Sequence, residues 1–170
     1  QTADATVRNT EHSGIISYKK TEKTEKKEVK MNRLIVPRGG EYRVELADGT
    51  LVYLNAESEL RFPKQFRGKN RKVYLTGEGY FDVQRNEKQP FIVEAQQVEV
   101  RVLGTSFGVR AYTKEENVLT TLIQGRVNVE ADGQQVELDP GQQADFNRGN
   151  DRLTVAEVDV EQYVGWKDGR

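Results

Sequence analysis

From Leu34 onward, apolar and polar residues alternate along much of the chain. Val98, Val100 and Val102 alternate with Glu99 and Arg101, and Phe91, Val93 and Ala95 alternate with Ile92 and Glu94. The same period of two sets Phe107, Val109 and Ala111 against Gly108, Arg110 and Tyr112. It recurs for Val127 and Val129 against Arg126, Asn128 and Glu130, and for Val136 and Leu138 against Gln135 and Glu137. Successive side chains of a strand point to opposite faces, so each segment offers one face to a core and one to water. The core this predicts contains Leu46, Leu54, Leu75, Phe81, Phe91, Val100, Phe107, Val109, Leu122, Val127 and Leu138.

Turn residues punctuate the strands. Asp48-Gly49 and Asp132-Gly133 each lie between apolar runs and predict hairpins, because both dipeptides tolerate positive φ. Asp139-Pro140-Gly141 predicts a further turn. A loose repeat also runs through the chain: a leucine closes a strand, a glycine bends the chain, and an apolar residue anchors the next strand. It is seen at Leu75-x-Gly77 before Phe81, at Leu103-Gly104 before Phe107 and at Leu122-x-x-Gly125 before Val129. The spacings are too uneven for a solenoid. The fold class expected is therefore all-β, a two-sheet sandwich or β-roll of many short, mostly antiparallel strands. Gly77, Gly104 and Gly125 are expected to mark bends and not a ligand site. One helical cue comes late: Asp159 and Gln162 resemble a capping box before Val160, Tyr163, Val164 and Trp166, with Gly169 as a stop.

Three stretches differ in character. Residues 1–33 are polar, with a mixed Lys/Glu run at 19–28, and read as a tether or juxtamembrane segment. Within them Gly14-Ile15-Ile16-Ser17-Tyr18 could supply a short strand, 14–18, to the main domain. Residues 34–158 form the β domain, and 159–170 read as the start of a link to a further C-terminal domain. With Gln1 in place of a start methionine, the expectation is a fragment or a mature form.

Composition removes several function classes. Charged residues make up 31% of the 170, and no run approaches the roughly 20 apolar residues of a membrane helix. A net charge of -1 gives no field for nucleic acid. With no cysteine, disulfides and thiolate metal sites are excluded. The one histidine, His12, lies in a polar stretch between Glu11 and Ser13, and no site role is expected of it. Asp145, Asp151, Asp159 and Asp168 are scattered, so no metal is expected.

Gly77-Glu78-Gly79 lacks the third glycine and the βαβ setting of a dinucleotide fingerprint. Glu78 has no nucleophile or second carboxylate beside it, and it is expected to hydrogen-bond backbone donors across a turn. Arg61, Lys64, Arg67, Lys69, Arg71 and Lys72 surround Phe62 and Phe66. That mixture can bind single-stranded nucleic acid or an acidic protein partner. The reading preferred is a solvated loop with two aromatics tucked into the core. No catalytic, cofactor-binding or metal residue is assigned, no cofactor is expected, and no activity as an enzyme is expected. The partner-binding residues are not assigned.

A set of motifs, in order, resembles one family. It opens with Val36-Pro37-Arg38-Gly39-Gly40-Glu41-Tyr42, followed by Leu46-Ala47-Asp48-Gly49-Thr50-Leu51-Val52-Tyr53-Leu54-Asn55. Then come Arg71-Lys72-Val73-Tyr74-Leu75-Thr76-Gly77-Glu78-Gly79-Tyr80-Phe81-Asp82-Val83 and Val102-Leu103-Gly104-Thr105-Ser106-Phe107-Gly108-Val109. The set closes with Leu138-Asp139-Pro140-Gly141 and Trp166-Lys167-Asp168-Gly169. Over roughly residues 34–170 this is similar to the FecR family, in its Bacteroidetes form. Gly79 and Gly108 depart from the alanine and asparagine usual there.

The resemblance implies a periplasmic sensor domain of a single-pass inner-membrane anti-sigma factor. Such a domain would relay a signal from the signalling domain of an outer-membrane TonB-dependent transporter. The receiver would be an extracytoplasmic-function (ECF) sigma factor, bound through a cytoplasmic tail outside this chain. Contact with the membrane would come only through a helix also outside it. The competing reading is a carbohydrate-binding β-sandwich, which needs exposed aromatic rings. Limited proteolysis checks the organisation: a broad protease should cut within residues 19–30 first while 34–158 resists, and early cleavage inside 34–158 would refute it.

Overall fold

The computed structural model describes residues 5–8, 13–18 and 30–169. His12 and the Lys/Glu run at 19–28 lie outside the described residues. In chain order the strands are β1 (Ala5–Arg8), β2 (Ser13–Tyr18), β3 (Met31–Ile35), β4 (Glu41–Glu45) and β5 (Leu51–Leu54). Next come β6 (Glu59–Pro63), β7 (Arg71–Asp82), β8 (Phe91–Ala95), β9 (Val98–Val102) and β10 (Ser106–Ala111). Last are β11 (Asn117–Gln124), β12 (Val127–Ala131), β13 (Gln134–Leu138), β14 (Gln142–Asn147) and β15 (Arg152–Glu157). A helical turn α1 (Glu161–Val164) and a 3-10 turn (Gly165–Asp168) follow.

Two sheets share β7. The first has the order β1-β2-β4-β5-β7-β10-β11-β14-β15, and the second runs β3-β6-β7-β8-β9-β12-β13. Neighbours are antiparallel apart from β2 with β4 and β7 with β8. The fold is all-β, as the alternation implies, and its strands are mostly antiparallel, with these two parallel pairs. β3 runs across the change in composition at position 34, and β2 pairs its backbone with β4 from Ser13 opposite Glu41 to Ser17 opposite Glu45.

β7 is the corner on which both sheets turn. Its first half lies between β6 and β8, and its second half, from Gly77, lies beside β10 and β5. The change of sheet occurs at Gly77, where φ is 102°. A Cβ there would come within 2.7 Å of the Ser58 Cα, so the position excludes any side chain. Twelve extended residues would span about 40 Å. Instead the Phe81 ring, near the end of β7, lies 6.3 Å from that of Phe91, which pairs with Arg71 at its start. The strand thus folds back across the sandwich, about 10 Å thick. This is why residues 83–90 suffice to connect the parallel strands β7 and β8, a link that usually takes a dozen or more.

Every residue of the predicted core is buried. Ile92 differs from expectation: the alternation gives it to water, yet it is 2% exposed. Its cross-strand neighbours on that face are Lys72 and Arg101, long side chains whose alkyl stems can cover an apolar residue. Asp132-Gly133 turns β12 into β13 with φ of 50° and 75°, and Asp48-Gly49 joins β4 to β5. A third tight turn, Gln96-Gln97, has φ of 43° and 76° and joins β8 to β9. Neither glutamine carries the usual sequence signal for positive φ.

The C-terminal capping box does not form. Val160 occupies the cap position without a side-chain bond, and Asp159 Oδ1 accepts the Glu161 N–H at 3.3 Å. Gly169 does end the segment, with φ of 83°. Phe81 and Phe107 stack with centroids 5.2 Å apart at the centre of the core. Truncating either to alanine should cost about 3–5 kcal/mol in chemical denaturation, and a loss below about 1 kcal/mol at both would mean the inward face is wrongly assigned.

Candidate functional site

The basic segment resolves into separate roles. Phe62 is buried, and the half-buried Phe66 meets Phe91 edge-on at 5.8 Å, so the two aromatics do enter the core. Lys72 pairs with Glu94 at 2.9 Å, and the Arg61 guanidinium lies over the Tyr74 ring at 4.7 Å. Arg71 does not belong to a solvated loop. It is 1% exposed and among the largest fully buried side chains.

A guanidinium carries five N–H donors, and Arg71 matches each with an acceptor. Nε donates to Gln89 O at 2.6 Å. Nη1 donates to Asp48 Oδ2 and Gln84 O, both at 2.7 Å, and Nη2 donates to Leu103 O at 3.1 Å and Asn86 O at 3.4 Å. The Phe91 ring covers one face of the cation at 5.4 Å. Asp48 also accepts from the Thr50 backbone N–H and hydroxyl at 2.9 and 2.8 Å, and the Thr50 hydroxyl accepts the Gln84 N–H at 3.1 Å. One side chain therefore fastens the β4–β5 turn, the 83–90 connection and the end of β9.

These fastened loops wall a surface groove of about 460 Å³ lined by Arg85, Leu103, Gly104, Thr105, Arg126 and Glu137 among others. A Cβ on Gly104 would lie 2.7 Å from the Arg85 Cα, so the two loops touch backbone to backbone. The groove's arginines already have carboxylate partners: Arg85 pairs with Glu87 at 2.6 Å and Arg126 with Glu137 at 3.6 Å.

Glu78 is buried within a cluster of side chains, which corrects the expectation that it would accept from backbone donors. It accepts from Asn55 Nδ2 at 3.0 Å and Arg110 Nη1 at 3.1 Å. Arg110 in turn forks onto Glu115 at 2.8 and 2.6 Å and lies over the Tyr112 ring at 5.0 Å. Ser58 Oγ accepts the Glu78 backbone N–H at 2.8 Å. Burial pushes the Glu78 carboxyl up from its ordinary value of 4.5, opposed by the bonds from Asn55 and Arg110. The second carboxylate, Glu115, is thirty-seven residues away in sequence, and only the β7–β10 pairing brings it near. Among the described residues no group of three or more His, Asp or Glu side chains could hold a metal ion.

The same outer sheet face receives the C-terminal turn. Val164, 3% exposed, fills the space left by Gly108, where a Cβ would lie 2.9 Å from its Cγ1. Lys167 Nζ lies 4.7 Å over the Tyr80 ring and 5.8 Å over Tyr53. Arg43 also covers the Tyr53 ring, at 5.5 Å.

This geometry defines a two-sheet β domain folded over a shared corner strand, with its loops fastened by a buried arginine. The family described as FecR protein matches residues 32–128, and the chain belongs to the FecR family. Two crystal structures of a candidate anti-sigma factor from Parabacteroides distasonis superpose on it with TM-scores of 0.79. They are 34% and 35% identical over 82% and 81% of this chain. The chain spans 65% of the length of each. No curated protein sequence matches the chain.

Two outcomes test the site. Arg71→Met should destabilise the fold by about 3–5 kcal/mol in urea denaturation, because Asp48 and four carbonyls lose their donor together; a change within experimental error would remove Arg71 from its assigned role. Glu78→Gln keeps an acceptor for Asn55 and Arg110 but has no charge to desolvate. A raised folded pKa gives stability that is full below the unfolded value and is lost as pH rises through the folded value. Wild-type stability should therefore fall relative to Glu78→Gln as pH rises from about 4 towards neutrality, and parallel pH profiles would contradict that origin for the shift.

Proposed function

We propose that this chain is the sensor domain of a membrane-anchored anti-sigma factor and stands in the periplasm. In this reading it relays the state of an outer-membrane TonB-dependent transporter to an ECF sigma factor. The sigma factor is held by a cytoplasmic tail beyond this chain, and the anchor is a membrane helix likewise beyond it. Among the described residues no helix is long and apolar enough to cross a membrane. The observation that carries the proposal is the 34% identity and common fold with the candidate anti-sigma factor over 82% of the chain. The geometry supports a role in contact between proteins. Its loops are held rigid by Arg71, and rigid loops lower the ordering cost of binding a partner.

The carbohydrate-binding reading is less well supported. Tyr53, Tyr74, Tyr80 and Tyr112 each carry a lysine or arginine over the ring, which leaves those faces covered. No aromatic residue is among the exposed large hydrophobics of the described chain. The test is a sigma-dependent reporter in cells whose regulator lacks residues 34–158, with and without the inducing nutrient. The response should be uncoupled from the nutrient. A normal response would remove the domain from the relay, and a saturable glycan titration would then favour the alternative.

A further inference from the structure

Sheet edges are templates for strand addition, and most proteins blunt them. In this domain β13 and β15 are tied together by one side chain. Gln134 Nε2 donates to Asp151 O at 2.6 Å, and its Oε1 accepts the Leu153 N–H at 3.1 Å. β3, at the opposite edge of the second sheet, is different. Lys30 O accepts the Lys64 N–H at 3.1 Å, and the Val36 N–H donates to Ser58 O at 2.8 Å. Asn32 stands opposite Phe62 and Leu34 opposite Leu60 in the same register. Even-numbered residues therefore turn their backbone groups towards β6, and Met31, Arg33 and Ile35 turn theirs outward. The register is regular, with no bulge and no proline in β3.

The side chains beside this open edge are apolar. Met31 is 44% exposed and Ile35 54%, and they are two of the four exposed large hydrophobics of the described chain. The surroundings are basic. Arg33 holds Glu59 at 2.7 Å, and further into the sheet Lys72 holds Glu94 at 2.9 Å. Lys30 and Arg61 have no carboxylate partner among the described residues, and the Arg61 guanidinium rests on Tyr74.

We propose that the β3 edge binds an extended acidic segment of a partner protein, which joins the second sheet as an added strand. Directly opposed residues on one face are the units that pair across strands. The segment therefore carries apolar residues opposite Met31 and Ile35, and an aspartate or glutamate between them, opposite Arg33 and within the field of Lys30 and Arg61. The inference rests on the reading of the domain as one that acts through protein contacts, and it adds the place of contact and the chemistry of the partner.

The experiment uses the 170-residue chain and a labelled peptide with the core Ile-Thr-Glu-Thr-Ile, followed by fluorescence anisotropy and by amide exchange. Binding should slow exchange at Met31, Arg33 and Ile35, and a peptide with lysine in place of the glutamate should bind at least about tenfold more weakly. Arg33→Pro removes an outward N–H that pairs with no strand among the described residues, and Ile35→Lys removes the apolar flank. Each should weaken binding at least about tenfold while leaving the unfolding midpoint close to that of wild type. If Arg33→Pro proves unfolded, Ile35→Lys carries the comparison. Equal binding of both peptides, undiminished binding by both variants, or binding of anionic phospholipid vesicles without binding of the peptide would overturn the proposal. A reporter that ignores the domain while the peptide binds would sink only the relay reading. A working relay with no binding at β3 would sink only this one.

Discussion

The fold depends on one buried cation. A charge with 1% of its surface exposed persists only if its field is answered on all sides, and Arg71 is answered by a carboxylate, four backbone carbonyls and an aromatic face. The acceptors come from the turn before β5, the connection after β7 and the end of β9. Lysine could not replace the guanidinium, because three donors on a single nitrogen cannot reach acceptors spread around a plane. The carbonyls of residues 84, 86 and 89 are in reach only because β7 doubles back at Gly77. The glycine bend and the buried arginine are thus two ends of one constraint.

What could be read from the sequence follows from the range of the forces involved. Alternation and the Asp-Gly turns are local, so the core from Leu46 to Leu138 and the hairpins at 48–49 and 132–133 were legible. Gln96-Gln97 was not, because its positive φ is imposed by the register of β8 on β9 and has no residue signal. Arg71 was misread for a similar reason. Among five other cations it looks like surface, and its burial follows only from a fold-back that joins residues up to 32 apart in sequence. The cluster at Glu78 was half visible: the glycines on each side announced an unusual strand, but Asn55, Arg110 and Glu115 converge on it only once β5, β7 and β10 are side by side.

Gly108 illustrates how a departure from a family pattern can have a packing reason. Taken alone, a glycine within a strand weakens it. Here it opens the space that Val164 occupies, and Lys167 lies across two tyrosine rings. The last residues described are consequently held against the face formed by β5, β7 and β10.

Because β7 belongs to both sheets, the sandwich has no seam along which it could come apart in halves. In an ordinary two-sheet fold the layers are joined by loops, and one layer can open while the other keeps its ladder. Here the melting of either sheet strips hydrogen bonds from the same continuous strand and loosens the pairing of the other. The domain should therefore behave as a single cooperative unit, and a pull on one layer is borne at once by covalent bonds in the next.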